Sequence, residues 1–474
     1  MADMFAHQIH QGLLRPGERL PSVRQVSREQ QVSVSTVFQA YYALEADGLV
    51  QARPQSGYYV QASRPVAEQV PAPSRPAVAV HFVSVTHTLL ALGQQWSRPG
   101  LIDLALAVPA PTLLPRAGLT KALAAAGRTL PGGGLNYAEI RGDANLRRQS
   151  AQRASQWSNP VDADEIIVTN GCMEALVLAI KAATKPQDVV AVESPAYYGI
   201  LQALEGMGLR VYELPTDART GPDLGSLRQA LATAPIRAVV VTANFSNPTG
   251  ACMSAERKQT LVALLAEHEI PLIEDDVYGD LYFQGPRPVS CKAFDRRGLV
   301  LLCSSLSKTL APGFRVGWVI AGRFEPAVLA QKLMHTGSTA ALPQVAAAHY
   351  LASGHYAKNL SGLRRVLREQ VAAYRALICA HFPAGTRVSD PQGGLVLWAE
   401  MPAGYSALAL LQQAAPAGII FYPGGVFSTQ LLYGNCLRIA CGQPLTAPVV
   451  QAIQHLAGLL RAGKCYSMPE SVAT

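Results

Sequence analysis

The sequence predicts an α/β protein with a mostly parallel sheet and flanking helices, a small C-terminal α+β domain, and a separate N-terminal domain of three helices and a hairpin. Three observations support this fold class. Apolar residues at helical spacing and two short strand patterns occupy the first sixty residues. A proline-rich stretch without apolar periodicity follows. From Ile102 onward, apolar strand segments alternate with helical segments, which is typical of α/β proteins.

The length of 474 residues is large for one compact domain and favours several units. We predict an N-terminal domain over residues 1–61, a proline-rich linker over 62–100, a large domain over 101–340, a small C-terminal domain over 341–462 and a tail over 463–474. No apolar run is long enough to cross a bilayer and the N-terminus shows no export signal, so we expect a cytoplasmic protein without a membrane partner. The eight cysteines and ten histidines show no metal-ligand spacing, so we expect reduced thiols and no metal site.

The formal net charge of +8 permits nucleic-acid binding but does not establish it. In the first sixty residues, five arginines are matched by five acidic residues. A DNA contact in this part of the chain would therefore depend on how the charges are arranged and not on a bulk excess.

The N-terminal segment predicts three helices and two strands. Phe5 and Ile9 lie at helical spacing, and Ser22 is a candidate N-cap of a second helix. Ser33 or Ser35 begins a third helix, and short strands follow at 49–52 and 58–61. Such an arrangement is a winged helix-turn-helix, whose third helix enters the major groove of DNA while the wing contacts the backbone or the minor groove. The alternative is a small helical cap on an enzyme.

Motifs in this segment resemble the GntR-type winged helix. The matching runs are Leu20-Pro21-Ser22-Val23-Arg24, Thr36-Val37, Leu44-Glu45, Gly48-Leu49 and Ser56-Gly57. The resemblance implies that Arg24, Ser35, Thr36 and Gly57 lie at the DNA surface, with Arg53 on the wing. Two features depart from the family pattern: Val34 occupies a position where the family often has arginine, and the first helix is several residues shorter than usual.

The larger segment contains one lysine in a suggestive position. Strands are predicted at 164–169, 189–193, 210–213, 238–242, 271–274 and 299–303, with a helix at 172–183. Lys308 follows the last of these strands, where open α/β sheets hold ligands. A lysine there can form a Schiff base, for which pyridoxal phosphate (PLP) is the usual partner. Taken alone, such a lysine is more often an exposed residue at a strand end.

Four more strand ends have residues that suit this cofactor. Gly171 lies in a turn before a helix N-terminus, which suits a phosphate. Tyr197 could stack on a planar ring, although buried packing is the ordinary alternative. Asn247 lies in a polar turn over 244–250, and asparagine before proline usually marks only a turn. Asp275 ends an apolar strand, where a carboxylate could keep a pyridine nitrogen protonated and where a surface acid is the alternative.

Arg438 stands inside an apolar strand, where an unpaired charge would be costly. A planar guanidinium at such a place can bind a carboxylate through two hydrogen bonds. The alternative is a structural salt bridge to an internal acid.

The order and spacing of these motifs resemble the fold-type I PLP enzymes of the class I aminotransferase group, from about residue 100 to 462. The resemblance implies that Lys308 forms the internal aldimine and that Asp275 pairs with the pyridinium nitrogen. Asn247 and Tyr278 would hydrogen-bond the phenolic oxygen of the cofactor, and Tyr197 would stack on its ring.

The same resemblance implies the remaining contacts. The phosphate would be held by the backbone of Gly171, Cys172 and Met173 together with Ser305 and Arg315. Tyr137 would reach the phosphate of the neighbouring subunit, so the site would need a dimer. Arg438 would hold the α-carboxylate of the substrate.

A GntR-type winged helix joined to an aminotransferase-like body resembles the MocR-type regulators. This resemblance implies a homodimer that binds a double-stranded DNA operator and responds to an amino acid or amine effector at a PLP-loaded Lys308. The second hypothesis is an active aminotransferase with an accessory DNA-binding head, because the catalytic set is complete and includes Asn247, which some such regulators replace. A third reading is a sensor of PLP itself that needs no external amine.

Overall fold

The computed structural model of the chain describes residues 1–10, 14, 17–46, 49–53, 56–60, 70–93, 100–130, 134–463 and 465. The chain divides into two units, Met1–Gln69 and Val70–Thr474, which are described separately. Within the described ranges, no helix is both long and apolar enough to cross a membrane.

The first unit is the predicted winged helix-turn-helix. Its elements are α1 (Ala2–His10), α2 (Val23–Glu29), α3 (Val34–Ala46), β1 (Val50–Arg53) and β2 (Gly57–Val60), with β1 and β2 antiparallel. Tyr41 lies at the centre of its core: the ring packs edge-on against Phe5 at 5.6 Å and Tyr58 at 5.1 Å, and its hydroxyl donates to the Pro21 carbonyl at 2.8 Å. The ring therefore joins α1, α3 and β2 in one core.

Local capping explains where the helices of this unit begin. The Ser22 hydroxyl accepts from the backbone N–H of Gln25 and caps α2 as predicted. For α3, the backbone N–H of Thr36 donates to the Ser33 hydroxyl at 3.1 Å, so Ser33 is the capping residue and Ser35 is not. The predicted turns at Gly12, Asp47-Gly48 and Pro54-Gln55 lie outside the described residues.

The second unit is built on a sheet in the order β3-β7-β6-β9-β10-β11-β12-β5, with β8 paired to β7. The core strands β7, β6, β9, β10 and β11 are parallel, as predicted, whereas β3 and β12 are antiparallel to their neighbours. The strands of this sheet are β3 (Val80–Phe82), β5 (Ile166–Asn170), β6 (Val189–Ser194), β7 (Arg210–Asp217), β8 (Gly221–Pro222), β9 (Ile236–Val241), β10 (Leu272–Asp275), β11 (Val300–Ser305) and β12 (Val316–Ile320).

Helices cover the sheet and continue into the C-terminal part. They are α4 (Thr86–Gly93), α5 (Arg116–Thr129), α6 (Ala144–Ala154), α7 (Cys172–Ala183), α8 (Tyr198–Gly206), α9 (Leu224–Thr233), α10 (Ala255–Glu267), α11 (Glu325–His335), α12 (Ala341–Ala352), α13 (His355–His381), α14 (Ala407–Ala414) and α15 (Ala447–Arg461). The helix predicted at 172–183 has the predicted bounds.

Several strands differ from the prediction, and two of these differences concern the turn at Gly171. The strand predicted at 164–169 begins only at Ile166, because Asp162 and Glu165 form a reciprocal capping box that holds Ala163–Glu165 in a 3-10 turn. Strand β12 was missed. It lies between β11 and β5, and a Cβ at Gly317 would lie 2.5 Å from the backbone of Gly171. This close packing places the start of β12 beside the turn at Gly171.

The predicted linker over 62–100 is only partly described, because residues 61–69 and 94–99 lie outside the described ranges. The described stretch 70–82, called the strap below, is fixed to the second unit. The backbone N–H of Ser74 donates to the Thr216 carbonyl at 3.0 Å, its hydroxyl accepts from the Thr216 N–H at 2.7 Å, and Val80–Phe82 forms the edge strand β3. Proline favours extended backbone without internal hydrogen bonds, which suits an edge strap as well as a tether.

The C-terminal part contains the sheet β13-β14-β17-β16 and the pair β15-β4. Its strands are β4 (Ile102–Asp103), β13 (Arg387–Val388), β14 (Val396–Glu400), β15 (Ile419–Ile420), β16 (Tyr422–Pro423) and β17 (Cys436–Ala440). One residue of the predicted tail is packed: Cys465 is buried, and its carbonyl accepts from the Ser406 N–H at 2.7 Å. Residues 464 and 466–474 lie outside the described ranges. The boundary between residues 340 and 341 stays a prediction.

Candidate functional site

The carboxyl ends of the parallel strands border a pocket of about 170 Å³. Ten of the twelve residues that the sequence analysis assigned to the cofactor and substrate site line it: Cys172, Met173, Tyr197, Asn247, Asp275, Tyr278, Ser305, Lys308, Arg315 and Arg438. Gly171 lies next to Cys172 in the turn before α7. The structure therefore brings together residues that are up to 266 positions apart in the sequence.

Lys308 projects into this pocket from the turn after β11. Its Nζ donates to the Ala107 carbonyl at 2.7 Å and lies 5.6 Å from the centre of the Tyr278 ring. Burial lowers the pKa of the Lys308 ammonium to about 8, and the neighbouring Arg438 guanidinium acts in the same direction. The amine is therefore much more often neutral, and hence nucleophilic, than an exposed lysine at the same pH.

Asp275 is the buried carboxyl of the pocket. Its Oδ1 accepts from the Cys172 thiol at 3.4 Å and from the Val277 backbone N–H at 3.1 Å, and no described residue donates to Oδ2. Burial raises the pKa of Asp275 to about 6, although both hydrogen bonds and Lys308 oppose that shift. A cationic N–H placed in the pocket would stabilise the carboxylate form.

Asn247 and three tyrosines line part of the pocket. The Asn247 Nδ2 donates to the Tyr278 hydroxyl at 3.5 Å, while its Oδ1 is buried without a hydrogen-bond partner. Tyr197 and Tyr198 pack with ring centres 4.7 Å apart. Burial raises the pKa of both Tyr197 and Tyr278, so both hydroxyls are neutral donors at ordinary pH.

Another end of the pocket offers donors for an anion. Gly171 has φ +77° and lies so close to the Arg315 guanidinium that a Cβ there would collide with it. Arg315 Nη1 donates to the Ser307 hydroxyl at 3.3 Å and Nη2 to the Asn170 carbonyl at 3.1 Å. The first backbone N–H groups of α7 have no partner within the helix and point toward the same end.

Arg438 is 1% exposed, and no described acidic residue pairs with it. Its Nη2 donates to the Ala105 carbonyl, and its guanidinium lies 5.0 Å from the centre of the Tyr422 ring. Its Nε and Nη1 are buried without any hydrogen-bond partner. The alternative of an internal salt bridge is therefore not supported, and the unsatisfied donors are arranged to receive an acceptor from the pocket.

Tyr137 lies outside the pocket, and its side chain is 98% exposed. The contact predicted for it involves a second subunit, so this role stays a prediction. Among the residues that sequence reasoning missed is Ser307, which lines the pocket and receives a hydrogen bond from Arg315. It belongs to the same Ser305-Leu306-Ser307-Lys308 run, so the motif itself contained that signal.

The predicted DNA-contacting residues lie on the surface of the first unit. Arg24, Ser35, Thr36 and Arg53 are exposed, and Gly57 is partly exposed at φ +111°. Arg53 lies over the Tyr59 ring at 4.4 Å, which orients it on the wing. Val34, the departure from the family pattern, is 44% exposed at the start of α3.

Arg19 is a further residue of this surface that the sequence analysis did not assign. It pairs with Tyr59 beside β2, and its Nε would lie 3.1 Å from a Cβ at Gly57. It is exposed, and its side chain lies close to Gly57 at the start of β2. No motif singled it out, because its place depends on how the turn before α2 returns to the hairpin.

Comparisons with known proteins match both units. Residues 106–456 match the model "Aminotransferase class I and II" and residues 2–60 match "Bacterial regulatory proteins, gntR family". The chain is 37% identical over 459 residues to the uncharacterized HTH-type transcriptional regulator YjiR of Escherichia coli, covering 96% of this chain and 97% of YjiR. It is also 37% identical to YdcR of the same organism, covering 97% and 98%.

A solved aminotransferase shares the fold of the second unit. The α-aminoadipate aminotransferase LysN from Thermus thermophilus, complexed with N-(5'-phosphopyridoxyl)-L-leucine, superposes with a TM-score of 0.72 at 27% identity, covering 80% of this chain and 99% of LysN. PLP is the cofactor of this fold family, which confirms the cofactor prediction.

The pocket fits that cofactor on its own chemistry. The unpartnered Asn247 Oδ1, the buried Asp275 carboxyl and the donors around Gly171 suit a group with a phenolic oxygen, a ring nitrogen and a phosphate. Lys308 supplies an amine in the same pocket. A GntR-type winged helix and an aminotransferase domain thus occupy one chain, and the similarity to the regulator YjiR spans nearly the whole of both chains. The chain belongs to the MocR-type regulators.

Proposed function

We propose that this protein regulates transcription by binding a DNA operator through its winged helix, as a homodimer that senses an amino acid or amine at the PLP site of its second unit. The GntR-type domain accounts for DNA binding. The observation on which sensing rests is Arg438, which is buried in the pocket with two unpartnered donors and no acidic partner among the described residues. A carboxylate is the group that satisfies such a guanidinium.

Each predicted pocket residue has a proposed role. Bound PLP would supply an imine link at Lys308 that amines can exchange with. Asp275 would hold a proton on the ring nitrogen, Asn247 and Tyr278 would fix the phenolic oxygen, and Tyr197 would cover the ring. The phosphate would lie against the turn at Gly171 and Arg315. These residues orient a group and bind it; they do not require that it react further.

A hydrogen-bonded path connects the pocket to the strap. The Ala196 N–H, beside Tyr197, donates to the Phe427 carbonyl at 2.8 Å, and the Phe427 ring lies 6.0 Å from the Arg438 guanidinium. Three residues later, the Gln430 Oε1 accepts from the strap at Ala77 N–H, at 3.0 Å. A shift of this loop on effector binding would therefore move the strap, which continues toward the winged helix in sequence.

The first testable prediction concerns DNA binding. We expect the full chain to bind DNA flanking its own gene with sequence specificity, and the double variant Arg24→Ala/Thr36→Ala to lose at least about tenfold in affinity, because base-edge and phosphate contacts are each worth about 1–3 kcal/mol. Fluorescence anisotropy with and without PLP and with an amino acid panel measures this. Absence of any sequence-specific complex at about 150 mM salt would contradict the proposal.

Because the pKa of Lys308 is lowered, the rate at which PLP attaches to it should depend on pH near neutrality. The neutral amine attacks PLP, so the rate of covalent attachment to the apo-protein should rise about tenfold per unit of pH below 8 and become level above it. Borohydride trapping at fixed times measures the rate. A rate that keeps rising to about pH 10, the range of an ordinary lysine, would show that the pocket does not lower the pKa of Lys308.

The second candidate function, an active aminotransferase, is favoured by one observation: the site retains Asn247 and a Lys308 amine that can act as an acid and a base. Amino-group transfer from a panel of amino acids to 2-oxoglutarate tests it, and a rate no faster than that of free PLP would exclude it. The third hypothesis is a sensor of PLP itself. It would replace the amine-sensing regulator and the aminotransferase if PLP changed operator affinity without any amine.

A further inference from the structure

The winged helix has no net positive charge, and the positive charge of the protein lies in the rest of the chain. Five arginines and five acids balance in the first sixty residues, so the net charge of +8 belongs to the residues that follow. Phosphate neutralisation supplies much of the affinity of DNA-binding proteins. A winged helix without net charge gains less from phosphate neutralisation than a basic domain does, so a cationic surface on the second unit would strengthen binding.

Part of the positive charge of the second unit lies on a surface built from two segments that contain no acidic residue. No Asp or Glu occurs in residues 104–138 or 326–368. These segments contain α5, α12 and the first half of α13. Two surface hollows over these helices share Tyr350 and His355, so they form one continuous surface. We call it the basic face and define it by the exposed residues Arg116, Lys121, His349, His355, Lys358 and Arg365.

The cations of the basic face are uncompensated. Among the described residues, no acidic side chain forms an ion pair with Arg116, Lys121, Lys358 or Arg365, and neither hollow is lined by a carboxylate. By contrast, Arg147 on neighbouring α6 is paired with Asp164 at 2.7 Å. One exposed acid, Glu369, lies four residues after Arg365 on α13, at the edge of this surface. The other cations have no acid in their own segments, and such an excess of positive charge attracts a polyanion.

The helices beneath the basic face are rigidly packed. At Gly118, α5 approaches α12 so closely that a Cβ would lie 2.6 Å from the Tyr350 ring. The buried Tyr356 hydroxyl donates to Thr309 at 2.8 Å and anchors the start of α13. Lys358 and Arg365 are seven residues apart and so lie on one face of α13, whereas Arg116 and Lys121 of α5 border the same hollow. Several cations on one surface suit the phosphates of a duplex.

We infer that the basic face is a second DNA-binding surface, which contacts the phosphate backbone of duplex DNA without reading its sequence. This inference rests on the DNA-binding role proposed above and adds a contact made by the aminotransferase-like unit. Its energy is electrostatic, so it strengthens binding most at low salt and on duplexes long enough to reach it.

The test uses the full chain and a fluorescent duplex of about 40 base pairs with mixed sequence, titrated between about 50 and 200 mM NaCl. We expect Lys121→Glu/Arg365→Glu to weaken binding at least about tenfold at the lower salt and to reduce the slope of log affinity against log salt by about 2. The matched control Arg228→Glu/Arg237→Glu makes the same charge change at exposed sites outside the basic face and should have less than about half that effect on the slope.

A variant of the winged helix tests this inference separately from the proposed function. In Arg24→Ala/Thr36→Ala, sequence-specific binding should be lost while binding of the mixed-sequence duplex at low salt persists, and adding Lys121→Glu/Arg365→Glu should remove it. Complete loss of duplex binding in the head variant alone would overturn the basic face. Equal effects of the two charge-reversal pairs would overturn it as well, because binding would then follow net charge alone. Unchanged melting temperatures verify that the variants fold.

Discussion

Replacing Lys308 by alanine is expected to abolish the covalent attachment of PLP and the visible absorption band of its imine. Lys308 is the one lysine among the residues that line the pocket. Without it, the cofactor can be held only by its ring and phosphate contacts, so it should be lost on gel filtration. Absorption spectra, together with mass spectrometry after borohydride reduction, would show one modified lysine per chain in the wild type and none in the variant.

Lys332 offers a matched control for this experiment. It is a second buried lysine, and burial likewise lowers its pKa to about 8. Its Nζ donates to the Val168 carbonyl and, at 2.8 Å, to the Thr339 hydroxyl, and it lies outside the pocket lining. Lys332→Met should therefore keep the imine band even if the protein melts at a lower temperature. A band that survives Lys308→Ala would mean that another lysine holds the cofactor.

Much of the pocket could be predicted because several of its residues follow a parallel strand closely or end one. Asn247, Asp275 and Lys308 follow β9, β10 and β11, or end them, and the carboxyl ends of parallel strands meet at one edge of a sheet. Short motifs therefore locate these residues without any knowledge of packing. The same reasoning could not choose between Ser305 and Ser307, because the shape of the turn decides which hydroxyl contacts Arg315. The Ser307 hydroxyl accepts from Arg315, whereas the Ser305 hydroxyl accepts from the Ser307 N–H at 3.3 Å.

The features that the sequence did not predict depend on packing between distant segments. Strand β12 is short and contains Gly317, which weakens a strand pattern, yet that glycine is what allows close approach to Gly171. The strap was predicted as a tether because its prolines leave no periodicity, and only its partners Thr216 and Gln430 show that it is fixed. The lack of acids around α5 and α13 is visible in the sequence, but the continuity of the basic face appears only when these helices are placed side by side.

Arg438 should be needed for binding an effector carboxylate and should not be needed for folding. A buried guanidinium with unpartnered Nε and Nη1 imposes a desolvation cost that the apo-protein does not recover. In Arg438→Met, we expect affinity for an amino acid effector to fall about 100-fold, or about 3 kcal/mol, while affinity for the corresponding decarboxylated amine changes little. Spectral titration of the PLP-loaded protein with each pair of ligands measures the difference.

Thermal unfolding of the apo-protein distinguishes binding from a structural role. Arg438→Met should leave the melting temperature unchanged or raise it, because it removes a buried charge that has no acidic partner among the described residues. The matched control is Arg147→Met, at an arginine that is 6% exposed but paired with Asp164 and Glu139. Its removal should cost about 1–3 kcal/mol, because the Gly142 and Ala163 carbonyls lose the donors that Arg147 supplies. If Arg438→Met destabilised the apo-protein as much as Arg147→Met does, or weakened amine and amino acid binding equally, Arg438 would be a structural residue and the carboxylate of the effector would bind elsewhere.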